Sequence, residues 1–295
     1  MNFKKISSVA AAAALALGFA APASADVVIT AGEYRIVFSA FDAGTVGYGG
    51  APATPGVYCQ TTAECDSAVS ASSKAPNSIG SEDTWGIFSV ASIENLSTGE
   101  DVFVRGNGKY LTGVFGGISD AFVSGAQEEG VDGISVLALG TGGWLKMYET
   151  NKQYDPRNRP DGRIGADGYK GITDIGGVLA LDAVFGKGVY GGESEYTYKS
   201  AYNSNTISGS SEGFLDVVGG YMYDRFNTDS QIDPNGGKHD MYLTTTYAPN
   251  DTARANGWTV AAAGQAWADV PEPGSLALLG LGFAGLGFMR RRRAA

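Results

Sequence analysis

Apolar and polar residues alternate along most of the chain, a pattern that predicts β-strands rather than helices. In the run EYRIVFSAF, Tyr34, Ile36 and Phe38 would share one face of such a strand. Comparable runs recur, each bounded by Gly, Asn, Asp or Ser. They are DVFVRG, GISVLALG, GGVLALDAVF, EYTYKSAY, FLDVVGGYMY, DMYLTTTY and WTVAAAGQAW. Between the two chain ends, no segment carries the apolar repeat of an amphipathic helix.

Many short strands with glycine-rich turns are typical of packed antiparallel sheets. The 44 glycines fit turns and bulges rather than disorder, because 15 Tyr, 13 Phe and 4 Trp residues are available for a core. We therefore expect an all-β fold, an antiparallel β-sandwich or a jelly-roll-like domain. An N-terminal signal helix and a C-terminal transmembrane helix are expected to flank it. The length allows one large β domain or two small ones.

The first 25 residues have the layout of a secretory signal peptide, which predicts export. A basic start is followed by an apolar, alanine-rich run over residues 9–20 and by small residues before the expected cleavage at Asp26. The basic residues are Lys4 and Lys5, and the small residues of the cleavage site are Ala23 and Ala25.

The charge of the remaining body excludes two classes of partner. Without the signal and the last 26 residues, the chain has 15 basic and 30 acidic residues, a net charge of −15. Such a surface repels nucleic acid and anionic lipid. We therefore expect neither to be a partner.

Cys59 and Cys65 lie in the stretch CQTTAEC. Exported proteins meet an oxidising environment, so these cysteines are predicted to form a local disulfide. Their spacing differs from the C-x-x-C redox motif, and a single histidine and no second cysteine pair argue against zinc.

Two short motifs are candidates for enzymatic chemistry. GKGVYG, residues 186–191, fits the phosphate-binding pattern G-x-G-x-x-G, and GSSEG, residues 209–213, places Ser211 in the pattern G-x-S-x-G. Both patterns need a helix next, whereas both stretches are followed by strand-like alternation. The possible partners of Ser211 are Asp216, Asp224 and His239. We therefore expect no enzymatic activity and no catalytic residue.

Acidic loops raise the possibility of calcium, which prefers several oxygen ligands on a flexible loop. Neither acidic loop has the spacing of a known calcium loop, and solvated turns are the simpler interpretation. We expect no cofactor and no metal, with calcium the one ion worth testing. Its candidate ligands are Asp155, Asp161, Asp229 and Asp233.

The chain ends VPEPGSLALLGLGFAGLGFMRRRRAA, a segment unlike the polar body. Residues 274–289 carry no charge, and as a helix they would span about 24 Å, against about 30 Å for a bilayer core. Such a helix crosses a membrane if the bilayer thins locally. The positive charges that follow would stay in the cytoplasm and stop transfer. They are Arg290, Arg291, Arg292 and Arg293.

Pro271, Glu272 and Pro273, the short Leu/Gly/Ala helix and the terminal arginines appear in one order. That order resembles the PEP-CTERM sorting signal of Gram-negative bacteria. The resemblance implies recognition of the Pro-Glu-Pro motif by an exosortase, a membrane transpeptidase. It further implies a transient stay in the inner membrane, removal of the helix and delivery to the cell surface or an extracellular matrix.

The expected division is a signal peptide at 1–25, a β-rich passenger domain at 26–269 and a PEP-CTERM sorting signal at 270–295. We expect a non-enzymatic surface or matrix protein with a structural or adhesive role in exopolysaccharide, biofilm or floc. One alternative is a carbohydrate-binding or carbohydrate-active matrix protein, marked by a groove lined with Tyr or Trp and two carboxylates. Another is a permanent inner-membrane anchor with a periplasmic β domain.

Overall fold

The computed structural model describes residue 27 and residues 29–45, 55–68 and 74–271. Within them the chain forms strands joined by short turns, with three short α-helices and two 3-10 helices. The strands are β1 Gly32–Asp42, β2 Gly56–Cys59, β3 Thr84–Asn95, β4 Glu100–Val104, β5 Tyr110–Ala126, β6 Ser135–Thr150, β7 Arg163–Ile164, β8 Gly168–Tyr169, β9 Val178–Gly186, β10 Tyr198–Asn203, β11 Ser208–Gly219, β12 Gln231–Ile232, β13 Lys238–His239, β14 Met241–Ala248 and β15 Val260–Val270. The helices are α1 Thr62–Ala68, α2 Tyr223–Phe226 and α3 Asp251–Ala255, and the 3-10 helices are Pro156–Asn158 and Pro160–Gly162.

Eight strand positions close into a barrel in which every pairing is antiparallel. The order around the barrel is β1, β3, β5, β6, β9, β11, β14 and β15, which follows the order along the chain. β15 then pairs with β1 from Gly32↔Val270 to Asp42↔Val260, and this pairing closes the sheet. The architecture is an up-and-down barrel.

β9 and β10 share one of the eight positions. β9 pairs with one half of β6 and of β11, and β10 pairs with the other half of the same two strands. β10 therefore completes the barrel at the end where β1 finishes, near Asp42.

The all-β, antiparallel prediction is confirmed, but the prediction of a β-sandwich or jelly roll is wrong. Alternation of apolar residues is the same in a sandwich and a barrel, so it does not reveal whether the first and last strands pair.

The strands are also longer than predicted, because some glycines that were predicted to end strands lie inside them. Gly117 and Gly142 have φ of 73° and 74°, yet they lie inside the 17-residue β5 and the 16-residue β6. There they bend the paired strands, as glycine does at barrel corners.

The two ends of the barrel differ. At the tail end, where Gly32 pairs with Val270, the interior is filled by buried aromatic and aliphatic side chains. Phe226 of α2 packs edge-on against Tyr34, with ring centroids 6.1 Å apart. At the opposite end, which we call the mouth end, β1 finishes at Asp42 and β15 begins at Val260.

A second apolar cluster lies outside the barrel wall. The segment between β6 and β9, residues 151–177, covers outward-facing Trp85 and brings Tyr169 to it, beside Trp258. Arg163 of this segment stacks on Trp85 at 4.6 Å and forms an ion pair with Glu82 at 2.5 Å. Their side chains are 3% and 4% exposed. The pair therefore fixes the covering segment to the barrel wall.

The expected signal helix and transmembrane helix lie outside the described residues. Across the stretches that the structure describes, none of the helices has the length and apolar character needed to cross a membrane. The division into 1–25, 26–269 and 270–295 stays a prediction.

Candidate functional site

The mouth end of the barrel opens into a cavity of about 150 Å³, which we call the mouth cavity. Polar side chains from six strands line it: Asp42 of β1, Tyr58 of β2, Thr84 of β3, Asp120 of β5, Tyr198, Ser200 and Tyr202 of β10, and Tyr247 of β14. Each lies where strand alternation turns a side chain towards the barrel axis or its rim. The mouth of a β-barrel is a common place for a ligand.

An apolar chamber of about 80 Å³ lies directly behind the mouth cavity. The two spaces share Asp42, Ile118, Tyr198 and Tyr247 as lining residues, so they adjoin. The chamber is otherwise walled mainly by inward-facing apolar residues, among them Phe38, Phe88, Leu181, Met241 and Leu243.

Asp42 stands at the boundary between the two spaces. Its Oδ1 atom is buried and has no hydrogen-bond partner. Burial raises the pKa of this carboxyl to about 7, although a hydrogen bond from the backbone of Gly44 opposes the shift. A carboxyl with a perturbed pKa in a cavity is a candidate for a functional group.

Hydroxyl pairs hold the tyrosine rings around the mouth cavity. Ser200 and the Tyr247 hydroxyl are 2.5 Å apart, and the Tyr198 hydroxyl is hydrogen-bonded to Ser211. Burial raises the pKa of Tyr247 to about 12, and the nearby Asp42 and Asp120 carboxyls add to the shift. These tyrosines are therefore neutral hydrogen-bonding groups whose ring positions are fixed.

The outer face of the barrel carries a row of aromatic rings in contact with one another. Trp267, Tyr242 and Phe214 are cross-strand neighbours, and the ring of His239 continues the row. Successive ring centroids are 5.9, 5.0 and 5.0 Å apart. Beside the row runs a groove of about 490 Å³ that contains Glu212. Glu212 accepts hydrogen bonds from the Tyr242 hydroxyl and the Lys199 ammonium.

His239 lies between two carboxylates. Its Nδ1 atom is 2.7 Å from Asp216 Oδ1 and its Nε2 atom is 3.1 Å from Asp233 Oδ2. Burial alone would lower the pKa of His239, but the two hydrogen bonds and the two negative charges outweigh burial and raise it. The charged imidazolium is thus favoured by both partners.

The motif G-x-S-x-G does not form a catalytic serine site. Ser211 and Asp216 are five positions apart on β11, so they point to opposite faces of the wall. Ser211 pairs with Thr245 on the next strand, whereas Asp216 and His239 lie outside the barrel. Asp224, the third downstream candidate, is exposed on α2.

The motif G-x-G-x-x-G is followed by β10, not by a helix. A Cβ atom at Gly186 would lie 2.3 Å from His239 Nδ1, and one at Gly188 would lie 2.0 Å from Asp233 Oδ2. These glycines therefore leave room for the side chains of Asp233 and His239, which belong to a later segment of the chain, so no local motif reveals this contact.

The four calcium candidates have other partners or lie apart. Asp155 binds Arg157, Asp161 accepts from Asn77, and Asp233 binds His239. The backbone of Asp229 donates to Asp240. Among the residues with described positions, no group of three His, Cys, Asp or Glu side chains is placed to hold a metal ion.

The predicted disulfide is confirmed, with Cys59 and Cys65 joined and their Cα atoms 5.1 Å apart. Of the sorting motif, only Pro271 is described, and it follows the last residue of β15. The other predicted residues lie outside the described part of the chain: Glu272, Pro273, Arg290, Arg291, Arg292, Arg293, Ala23 and Ala25.

Sequence reasoning missed the mouth cavity. Asp42 ends a run that predicts a strand, and Tyr198, Tyr202 and Tyr247 belong to alternating runs. Alternation placed these tyrosines on strand faces, but only closure of the barrel brings them around one opening.

Comparison with known proteins adds one match. The family model of the PEP-CTERM protein-sorting motif matches residues 269–293. No curated protein and no solved structure matches the chain. The match begins within β15, two positions before Pro271, so the motif starts where the barrel ends.

Proposed function

Since this chain is a PEP-CTERM domain-containing protein, we propose that its barrel is a passenger for the extracellular matrix of a Gram-negative bacterium. The sorting motif supports export and handling by an exosortase-type system at the membrane. Beyond that, we propose cleavage of the tail and a non-enzymatic, structural or adhesive role in exopolysaccharide, biofilm or floc.

The main support for the proposal is that the Pro-Glu-Pro motif follows the last barrel strand, β15, without a linker. Val270 is buried and paired with Gly32, whereas Pro271 is exposed. A cut just after β15 would leave every described strand pairing intact. The passenger would then be released whole from its membrane segment.

The test is the intact mass of the protein recovered from the cell surface. We expect loss of the residues that follow the Pro-Glu-Pro motif, and we expect the mass of a chain that keeps its C-terminal residues when Pro271, Glu272 and Pro273 are all changed to alanine. Recovery of a peptide containing residues 290–293 from the wild-type surface protein would contradict cleavage and favour the permanent anchor.

A carbohydrate-binding role is the second candidate, because one specific feature favours it. Trp267 and Tyr242 form a half-buried stack beside a groove with Glu212 and Gln265. Sugars bind to such combinations of ring faces and hydrogen-bonding groups. Release of the protein from its matrix by a soluble polysaccharide, lost on Trp267→Ala, would support this role over a purely structural one.

A further inference from the structure

The mouth cavity and the apolar chamber form one binding space with a polar entrance and an apolar interior. The mouth cavity of about 150 Å³ has the size of an engineered protein cavity that holds benzene. The adjoining chamber of about 80 Å³ is lined by the side chains of Phe38, Phe88 and Leu181. Together they match a small ligand with one polar end.

The lining carries negative charge and no positive charge. Asp42 and Asp120 contribute carboxyls, and the described residues that line the two spaces include no Lys, Arg or His. Asp42 Oδ1 has no hydrogen-bond donor. A buried carboxyl destabilises a fold when its hydrogen bonds do not offset its desolvation, and the single bond from the Gly44 backbone does not do so here. A cation in the cavity would supply that offset.

Aromatic rings surround the same space. Tyr58, Tyr198, Tyr202 and Tyr247 line the mouth cavity, and serine hydroxyls fix two of them. The faces of such rings attract an organic cation, most strongly where water is excluded. Carboxyls and ring faces favour a cation over an anion, and the apolar chamber favours a ligand with an aliphatic body over a sugar.

We propose that this space binds a small organic cation, with its ammonium group between Asp42, Asp120 and the tyrosines and its apolar chain in the chamber. The net charge of −15 on the body draws cations towards the protein. The site is independent of the proposed adhesive role, since it lies inside the barrel rather than on its outer face.

The first experiment titrates n-hexylamine into the protein purified from the bacterial surface at pH 8, followed by calorimetry. We expect saturable binding to one site, with hexan-1-ol binding about 10- to 100-fold more weakly and hexanoate not binding. Asp42→Asn should weaken hexylamine binding by a similar factor. Asp101→Asn, which removes an exposed carboxylate on β4, should leave it unchanged.

The second experiment varies chain length, and it does not depend on changing Asp42. From ethylamine to butylamine, affinity should rise about fourfold per methylene group as the chain fills the chamber. Ala262→Leu, which fills the chamber from β15, should remove that rise while ethylamine still binds. Equal affinity for hexylamine and hexan-1-ol, equal affinity of wild type and Asp42→Asn, or no dependence on chain length would each overturn the proposal.

Discussion

Two aspartates of the barrel, Asp233 and Asp42, have pKa values that shift in opposite directions. Asp233 is buried, and hydrogen bonds from His239, Asn235 and Gly237 outweigh desolvation and lower its pKa. Asp42 gains one hydrogen bond from Gly44, which does not offset burial, and its pKa rises. Asp233 is therefore part of a satisfied structural cluster, whereas Asp42 costs stability. A group that costs stability in a cavity is the better functional candidate.

Asp42 should make the unfolding free energy depend on pH. Its pKa is about 7 when folded and near 3.8 when unfolded, so the folded state holds the proton more tightly. Well below pH 3.8 both states are protonated and no cost arises. Stability then falls as pH rises from about 4 to 7, by at most about 4 kcal/mol, and the loss is complete above that window.

Asp42→Asn should remove this dependence. Urea unfolding at a series of pH values should show the variant equal to wild type near pH 3 and more stable at pH 8. A difference that is the same at both pH values would show that Asp42 does not titrate in this window.

At the level of single elements, alternation predicted the strands well and their ends poorly. The runs around Tyr34, Leu243 and Val260 are strands as expected. The run FLDVVGGYMY is strand only to Gly219 and then turns into α2, because Gly220 at φ 93° redirects the chain. The mouth cavity could not be predicted, since its residues come from strands far apart in sequence.

The ion pair between Arg163 and Glu82 is one of the contacts that hold the covering segment at 151–177 against the barrel wall. Arg163→Ala would leave Glu82 charged and buried without its partner, and we expect a loss of about 3–5 kcal/mol in unfolding free energy. Arg157→Ala is the matched control, because that arginine is 79% exposed where it pairs with Asp155. Removing it should leave the urea midpoint nearly unchanged, because an exposed ion pair is screened by water. Equal losses for the two variants would show that the buried ion pair contributes no more to the unfolding free energy than the exposed pair.

At the scale of the whole molecule, closure through β15 decides whether the barrel exists. This strand contributes Ala266, Ala268 and Val270 to the core and pairs with both β14 and β1. Pro271, the first residue of the Pro-Glu-Pro motif, follows directly after this strand, although the family match starts at residue 269 within it. Folding through β15 and sorting through the Pro-Glu-Pro motif therefore use adjacent and largely separate parts of the chain.

Two truncations test this separation. A chain ending at Pro271 should unfold cooperatively and keep the near-ultraviolet circular dichroism of its packed tryptophans. A chain ending at Ala263 lacks the last seven of the 11 residues of β15 and should lose both signals, because seven β1–β15 residue pairs disappear. A native spectrum from the shorter chain would mean that the barrel does not need β15 to close.

The pairing of Gly32 with Val270 has one more consequence. The two ends of the barrel sequence leave side by side from the tail end, while the opening lies at the far end of β1, about 33 Å away along the strand. A molecule joined to a surface through its last residues therefore stands on a closed base with its opening outward. In a layer of such molecules, the filled tail ends would face the cell and the mouth cavities would face the medium.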